Sequence, residues 1–317
     1  MRVLVAGATG VVGRQLVPLL TSVGHDVVGL SRSRNRTAAV EEAGARMLLV
    51  DALDRAAVRR AVREAEPEAV VHLMTAIPGD FDPRRLAAAF ELTNRLRTEG
   101  TRNLLDAAQE VGVRKVVTQG VAFVYDPEGP GVADEDAPWW RHPPRQFVPV
   151  LAALQELERR TTGAGGLVLR FGHLYGPGTA YAVDGSFVRR ARTGMLPVVG
   201  RGTGIFSFTH THDAATATVA ALDKDVTGAL NVVDDDPAPA SVWIPELART
   251  IGAPAPRRVP AVLARMAVGS FGVALMTRLR GADNARARLS LDWRPGHPSW
   301  REGFAVELAA GSARVTG

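Results

Sequence analysis

A glycine-rich turn near the amino terminus constrains the fold of this 317-residue chain more than any other feature. Arg2–Ala6 is an apolar run typical of a buried parallel strand, and the turn follows it at the spacing G-x-x-G-x-x-G. Residues 11–23 then have the pattern of a helix, and residues 26–30 that of a second strand. A strand, a glycine turn, a helix and a second strand together predict a βαβ unit that binds the phosphates of a dinucleotide.

Glycine is needed in such a turn for chemical reasons. The backbone takes unusual dihedral angles, lies close to a pyrophosphate and lets the helix pack tightly on the strand. The phosphates would bind free N–H groups at the positive end of the helix dipole. A turn that needs glycine only for its shape is the alternative interpretation. The cofactor contacts predicted from this unit and from the ends of the next strands are Gly7, Thr9, Gly10, Val11, Val12, Gly13, Ser31, Arg32, Arg36, Asp51, Ala52, Leu53, Met74 and Thr75.

The end of the second strand indicates which dinucleotide binds. An NAD site has an acidic residue here to bind the ribose 2′-hydroxyl, but this chain has Ser31 followed by three arginines in residues 32–36. A guanidinium can bind a 2′-phosphate with two hydrogen bonds. We therefore expect NADP(H) to be preferred over NAD(H), with Arg32 as the leading contact and Arg36 as the second. A solvated basic loop is the alternative.

Composition narrows the class of protein and its surroundings. Apolar residues make up 46% of the chain and charged residues 22%, which is ordinary for a globular enzyme. Without cysteine, the chain has no disulfide framework and no zinc–thiolate site. The net charge is +5, but the arginines are interleaved with Asp and Glu, so we expect no nucleic-acid partner. We expect no signal peptide and no membrane span, because Arg265 interrupts the apolar run 259–276, and hence a cytoplasmic protein.

Strands and helices alternate along the rest of the first half. Further strands are predicted at residues 45–50, 69–74 and 115–120. A long helical stretch is predicted at residues 83–111, and Asp54 is placed to cap the helix before it. We predict an α/β fold: a Rossmann-type doubly wound parallel sheet with a smaller carboxy-terminal α/β region that binds substrate. The predicted division is 1–165 for the dinucleotide-binding core and 166–317 for sheet completion and substrate binding.

Stretches along nearly the whole chain carry a family resemblance. Besides the glycine turn, they are residues 51–54, 72–76, 124–125, 169–178, 206–215 and 228–233. Together they resemble the extended short-chain dehydrogenase/reductase family, the relatives of nucleotide-sugar epimerases, dehydratases and 4-ketosugar reductases. The resemblance implies a nicotinamide cofactor. It also implies catalysis by a Tyr-x-x-x-Lys pair beside a serine or threonine, with the tyrosine moving the substrate proton.

The chain departs from this family in its catalytic residues. Its only lysines are Lys115 and Lys224, and neither has a tyrosine four residues before it. The family's hydroxyl position, counted from Tyr125, is Val121. The cofactor site is therefore expected to be kept while the usual proton donor is absent.

Hydride transfer needs only a nicotinamide held over the acceptor, since the proton can come from another side chain or from water. The candidate catalytic residues are Thr118, Tyr125 and His173, with His72 and Tyr175 as further candidates. His173 is the unusual one, because an imidazole titrates near neutral pH. Packing in the core is the alternative for both histidines, and a structural role is the alternative for both tyrosines.

We expect an NADP(H)-dependent reductase of a carbonyl or related unsaturated group in a bulky small molecule of secondary metabolism, with a substitute or water-borne proton donor. Two other classes stay open. One is a redox-neutral or non-redox isomerase, dehydratase or cyclase, and the other is a cofactor-sensing protein without turnover. Consumption of reduced cofactor in proportion to product separates the first class from the second, and product formation separates both from the third.

The predicted substrate contacts are Trp139, Trp140, Tyr175 and Arg201. The two tryptophans lie in a proline-rich loop, residues 129–144, which is either an aromatic lid or a rigid cover of the sheet edge. Residues 261–280 are apolar on nearly all sides and either roof the substrate cleft or form a subunit contact, which would give a homodimer. His210 and His212 share a strand face but lack further ligands, and no metal is predicted.

Overall fold

The computed structural model describes residues 1–80 and 82–315, and a seven-stranded sheet forms its centre. With all strands numbered in chain order, the seven are β1 (Arg2–Ala6), β2 (Asp26–Ser31), β3 (Arg46–Leu49), β4 (Ala69–His72), β5 (Lys115–Val121), β6 (Leu167–Phe171) and β11 (Gly228–Val232). Their order is β11-β6-β5-β4-β1-β2-β3, and every neighbouring pair is parallel. The predicted doubly wound parallel sheet is confirmed.

Both faces of the sheet are buried, which explains the unbroken apolar strands in the sequence. Residues 3–6 of β1 are fully buried. β1 lies between β2 and β4, in a register that sets Leu4 beside Val28 and Val70. The strand order reverses between β1 and β4, and at such a switch point a crevice opens outside the carboxyl ends of the strands.

Helices cover both faces of this sheet. In chain order they are α1 (Gly13–Ser22), α2 (Ala38–Glu42), α3 (Arg55–Ala65), α4 (Leu86–Ala89), α5 (Glu91–Arg95), α6 (Thr101–Glu110), α7 (Val148–Gly163), α8 (Ser186–Arg192), α9 (Thr211–Asp223), α10 (Ala240–Thr250), α11 (Ala261–Arg278), α12 (Ala285–Leu291) and α13 (Trp300–Val315). Apolar residues of α1, α9 and α12 pack on one face of the sheet. Those of α3 and α6 pack on the other, and α7 lies beside α6.

The predicted helical stretch at residues 83–111 is broken into segments. A 3₁₀ turn at Pro83–Arg85 precedes α4 and α5, and a π-helical segment at Leu96–Gly100 joins α5 to α6. The other predicted elements of the first half differ from the observed ones only at their ends. Asp54 caps α3 as predicted, because its Oδ1 accepts a hydrogen bond from the N–H of Ala57 at 3.0 Å.

The carboxy-terminal region adds three two-stranded sheets and an aromatic core. The remaining strands are β7 (His173–Tyr175), β8 (Val198–Val199), β9 (Ile205–Phe206), β10 (Phe208–His210), β12 (Ala238–Pro239) and β13 (Arg258–Val259). They pair as β7 with β10, β8 with β13 and β9 with β12. Phe208 contacts the rings of Trp243, Trp300 and Phe304, which joins α10 and α13 to these strands. Residues beyond 166 therefore complete the main sheet and also build a second packed layer.

Helix α11 is the most apolar helix of this second layer. It is kinked at Gly269, whose φ of 68° lies in the left-handed region. By length and composition alone it is able to cross a membrane, with a mean hydropathy of 1.3, and 33% of it is buried. Its buried side carries Phe271 and Met276, whereas Val262 and Met266 are exposed.

Candidate active site

A cleft of about 860 Å³ opens at the carboxyl ends of β1 and β4. Its walls come from the glycine turn after β1, the segment after β4, α8 with the loops on either side of it, and α11. This is the crevice at the switch point of the sheet, where ligands of open α/β folds bind.

The glycine turn forms one end of the cleft. Gly7 has a φ of 96°, and a Cβ there would lie 2.8 Å from the carbonyl carbon of Leu73. A Cβ on Gly13 would lie 2.4 Å from the carbonyl oxygen of Gly7, closer than real Cβ atoms approach. The turn and α1 therefore fit this tightly against the sheet only with glycine at both positions.

Backbone N–H groups at this end are free to bind a phosphate. The N–H groups of Val11, Val12 and Gly13 donate no hydrogen bond within the described part of the chain. Helix α1 begins at the same place, and the positive end of its dipole attracts an anion. The cradle thus fits the pyrophosphate of a dinucleotide.

The predicted cofactor contacts fall into two groups. Those that line the cleft are Thr9, Gly10, Val11, Val12, Gly13, Arg36 and Thr75, with Gly7 beneath them in the turn. Those that lie at the same edge of the sheet but off the cleft walls are Ser31, Arg32, Asp51, Ala52, Leu53 and Met74. In the second group, the Ser31 hydroxyl donates to the carbonyl of Ser33, and Asp51 accepts from the N–H of Leu53.

Two unpaired arginines lie beside the phosphate end of the cleft. Arg14 and Arg36 both line it, and neither forms an ion pair with any residue that the structure describes. Arg32, the leading predicted contact, is exposed and lies off the cleft wall. Arg14 was not predicted from the sequence, although its position directly after Gly13, in the first turn of α1, places it beside the phosphate cradle.

Next to the turn, the cleft wall is formed by the residues that follow β4 and by β5 and β7. These residues are Leu73, Thr75, Ala76, Gln119 and Leu174. The Gln119 amide is half-buried and makes no side-chain hydrogen bond with the described residues. No described residue on the cleft walls is a tyrosine, a histidine or a lysine. The wall therefore offers hydrogen bonds but none of the proton donors that this fold usually carries.

Tyr125 lies behind the cleft in a buried network. Its hydroxyl donates to Oδ1 of Asn231 at 2.5 Å and accepts from Nη1 of Arg170 at 2.8 Å. Arg170 in turn forms a buried ion pair with Glu158 of α7, with Nη2 2.7 Å from Oε2. Burial raises the pKa of Tyr125 to about 12. The hydroxyl therefore ties the segment after β5 to β6 and β11, and it lies off the cleft walls.

His173 is packed between aromatic rings. Its ring centroid lies 4.6 Å from that of Phe123 and 4.4 Å from that of Phe206. Its Nε2 is buried without a hydrogen-bond partner among the described residues. Burial lowers the pKa of His173 to about 3, so the ring is neutral at neutral pH. It does not line the cleft, and we do not retain it as a proton donor.

Thr118 and His72 pack against the helices rather than the cleft. The Thr118 hydroxyl is fully buried and lies 3.1 Å from Oγ1 of Thr161 in α7. Nε2 of His72 lies 2.8 Å from Oγ1 of Thr101 in α6, and its Nδ1 accepts from the N–H of Met74 at 3.1 Å. Burial lowers the pKa of His72 to about 4. Both side chains join the sheet to its covering helices, and neither is available to a substrate.

The two tryptophans do not form a lid. Trp140 is 3% exposed, with its ring centroid 5.9 Å from that of Phe147 at the start of α7. Trp139 is half-buried, and the Arg170 guanidinium lies 5.3 Å from its ring centroid. Neither lines the cleft, so the loop is the rigid cover of the sheet edge that was the alternative.

Tyr175 and Arg201, the other predicted substrate contacts, also lie off the cleft walls. Tyr175 is fully buried, and its ring meets Phe208 edge-on. Burial raises the pKa of its hydroxyl above the usual range. Arg201 is exposed on the turn after β8.

The far end of the cleft is apolar along one wall and charged at its rim. The α11 residues that line it are Val268, Phe271, Gly272, Leu275 and Met276, so α11 takes the first of the two roles that the sequence left open, a roof over the cleft. At the rim, Nη2 of Arg190 lies 2.5 Å from Oδ1 of Asp80, and Nη2 of Arg189 lies 3.9 Å from Oδ2. This end therefore combines an apolar wall with a rim whose arginines are paired with an aspartate.

A histidine cluster away from the cleft has the composition of a metal site. One ligand atom each of His210, Asp213 and His297 lies within 4.8 Å of the others. However, Asp213 accepts hydrogen bonds from the N–H groups of Gly296 and His297, and Nδ1 of His210 accepts from the N–H of His212. A histidine with Nδ1 used in this way carries its proton on Nε2, the atom a metal would need. We interpret the cluster as a structural contact that holds the segment before α13 against α9.

The parallel sheet, the switch-point cleft and the phosphate cradle define a Rossmann-type dinucleotide-binding protein. The chain belongs to the NAD dependent epimerase/dehydratase family, whose model matches residues 3–233. The family resemblance in the sequence is thereby confirmed.

Relatives of known name support an oxidoreductase. The chain is 48% identical over 312 residues to 3-diazoavenalumate denitrifying reductase from a Streptomyces species, across 97% of this chain and 100% of that one. It is 27% identical over 266 residues to dTDP-4-dehydro-6-deoxy-D-allose reductase from Streptomyces bikiniensis, across 78% of this chain and 79% of that one. The UDP-glucose 4-epimerase of Thermus thermophilus, solved with NAD, has the same fold, with a TM-score of 0.73 at 23% identity over 98% of this chain and 99% of that one. An enzyme with a nicotinamide cofactor is the class that these likenesses support.

Proposed function

We propose that this chain is an NADP(H)-dependent reductase that replaces the diazo group of a small carboxylate with hydrogen and releases dinitrogen. The observation that carries the proposal is the composition of the cleft. Its described walls contain a dinucleotide cradle but no tyrosine, histidine or lysine. The relative at 48% identity is named for the denitrifying reduction of a diazo compound, which supports this acceptor.

Two kinds of acceptor differ in their need for a proton. When bound, the reduced nicotinamide supplies a hydride. A carbonyl that accepts it becomes an alkoxide, which an acid must then protonate. A diazonium carbon instead forms a C–H bond with the hydride electron pair, while the C–N bond pair leaves with N₂. No proton is needed at the reacting carbon, so a cleft whose described walls carry no tyrosine, histidine or lysine suits this reaction.

The chain's own residues would hold the reactants and exclude water. Leu73 and Leu174 give apolar walls beside the sheet edge, and Gln119 offers a neutral amide that hydrogen-bonds without moving a proton. The apolar face of α11 suits a flat, apolar substrate body. A substrate carboxylate at the rim would bind Arg189 and Arg190 in place of their ion pairs with Asp80.

A preference for NADP(H) is part of the proposal. Arg36 lines the cleft without an anionic partner in the described chain, and β2 ends at Ser31 instead of an acid. We expect Arg36→Gln to weaken NADPH binding about tenfold, as the loss of one charge-assisted phosphate contact does, and to leave NADH binding unchanged. Arg34→Gln, in the same turn but off the cleft wall, is the matched control. Tighter binding of NADH than of NADPH to the unaltered protein, measured by titration calorimetry, would refute this preference.

The acceptor is tested with an aromatic diazo carboxylate labelled with ¹⁵N in the diazo group. We expect one labelled N₂ released per NADPH oxidised, and deuterium from C4-deuterated cofactor at the carbon that carried the diazo group. Product without cofactor oxidation would identify a redox-neutral enzyme. Cofactor binding without product from diazo or carbonyl substrates would identify a sensing protein.

A carbonyl reductase that takes its proton from water is the second candidate. It is favoured by the relative at 27% identity, whose named substrate is a 4-dehydro sugar. Oxidation of NADPH by ketones, with the diazo compound left unchanged, would favour this candidate over the first.

A further inference from the structure

Arg14 is a cleft residue with no role in the cradle or in the proposed chemistry. It follows Gly13 in the first turn of α1, is exposed and lines the cleft. It forms no ion pair among the described residues. An arginine beside a phosphate cradle, without an acid to neutralise it, is available to bind an anion.

The guanidinium of Arg14 lies close to the opposite wall of the cleft. Gly178, in the loop after β7, has a φ of 78°, and a Cβ there would lie 2.8 Å from Nη2 of Arg14 and 3.4 Å from Cγ1 of Val11. The side chain therefore reaches from α1 to the loop that follows β7. Because Gly178 has no side chain, the guanidinium can lie against the loop.

We propose that Arg14 is a strap across the cofactor pyrophosphate. The N–H groups of Val11, Val12 and Gly13 would bind the pyrophosphate from one side, and the guanidinium would cover it from the side of Gly178. With the cofactor bound, Arg14 of the dinucleotide-binding core would contact both the pyrophosphate and the loop after β7 in the carboxy-terminal region. The proposal rests on a dinucleotide in the cleft, and it is independent of the diazo acceptor and of the preference for NADP(H).

The strap and the 2′-phosphate contact make separable predictions. Arg14 belongs to α1, where the pyrophosphate lies, whereas Arg36 follows β2, where the adenosine ribose lies. Loss of Arg14 is therefore expected to weaken every ligand that carries a pyrophosphate. Loss of Arg36 is expected to weaken only ligands that carry a 2′-phosphate.

The test is titration calorimetry of the full chain with NADPH, NADH, ADP-ribose and adenosine 2′-monophosphate. We expect Arg14→Gln to weaken NADPH, NADH and ADP-ribose about tenfold each, which is the effect of one phosphate contact, and to leave adenosine 2′-monophosphate unchanged. Arg34→Gln, which removes the same charge off the cleft wall, is expected to change none of them. Arg14 is exposed, so an unchanged thermal midpoint is expected to confirm folding.

Two results would overturn the strap. One is unchanged affinity of Arg14→Gln for NADH and ADP-ribose. The other is a loss confined to NADPH and adenosine 2′-monophosphate, which would assign Arg14 to the 2′-phosphate. Because every readout is binding, failure of the strap is distinct from failure of the proposed reduction.

Discussion

The glycine turn of this protein matches the pattern of the family it resembles, whereas the β5–α7 region departs from it. At the turn, Gly7 and Gly13 stand where a side chain would collide with backbone, and the N–H groups of Val11, Val12 and Gly13 are free. In the β5–α7 region, the side of α7 that faces the core carries Val150, Leu151 and Leu154, all buried, and the family's hydroxyl position is buried Val121. The cradle for the hydride donor is present, whereas the Tyr-x-x-x-Lys pair that the resemblance implies is absent from the sequence.

This difference indicates that the cofactor cradle and the proton donor meet separate chemical requirements. A cofactor cradle is needed by any hydride transfer, because geometry brings donor and acceptor together. A proton donor is needed only when the acceptor becomes basic. The proposed diazo acceptor would need no proton donor in the β5–α7 region, which agrees with the apolar packing seen there.

The largest expected effect comes from changing the glycine turn with the substitution Gly13→Ala. The new Cβ would lie 2.4 Å from the carbonyl oxygen of Gly7, so the turn must shift and the free N–H groups with it. We expect the Kd for NADPH, measured by fluorescence titration, to rise about 100-fold, which corresponds to ~2.7 kcal/mol.

Gly163→Ala is the matched control for this change. Gly163 lies at the end of α7, and a Cβ there meets nothing within 4 Å. It is expected to keep cofactor affinity unchanged. Gly13→Ala with wild-type affinity would mean that the turn does not hold the pyrophosphate.

The sequence predicts the fold and the cofactor cradle better than it predicts the position of single side chains in the cleft. The strand and turn pattern predicted the sheet and the cradle, because spacing alone determines where glycine is needed. Arg14 and Gln119 were missed, since the face of an element that a single side chain takes depends on packing across the cleft. For the loop of Trp139 and Trp140 the sequence left a lid and a rigid cover open, because it does not reveal that Arg170 and Phe147 pack on the two rings.

The substitution Tyr125→Phe tests whether the residues after β5 have a structural or a catalytic role. Its hydroxyl links Arg170 and Asn231 inside the protein, so its loss leaves buried groups short of a partner. We expect the free energy of unfolding, from urea denaturation, to fall by about 1–3 kcal/mol, with kcat unchanged. A fall in kcat with unchanged stability would restore Tyr125 as a catalytic residue.

The smallest expected effect is that of His173→Phe, and it is visible in pH dependence. The folded-state pKa of His173 is about 3 and its ordinary value is 6.5, so between these values the unfolded chain binds more protons. Stability is therefore complete above pH 6.5 and falls as the pH is lowered toward 3, with a slope of at most ~1.4 kcal/mol per pH unit from this residue.

Replacing His173 with phenylalanine removes its contribution to the pH dependence of the free energy of unfolding. We expect the variant to lose less stability than the unaltered protein between pH 7.5 and 5.0, with His72 and His210 still contributing because burial lowers the pKa of each to about 4. Any cost of fitting the larger ring is common to both pH values and cancels in the difference. His142→Phe, the same substitution at an exposed position, is the matched control. If His173→Phe instead removes a limb of the pH–rate profile, then the imidazole takes part in turnover. The residues around it would then supply a proton to the reaction in addition to packing in the core.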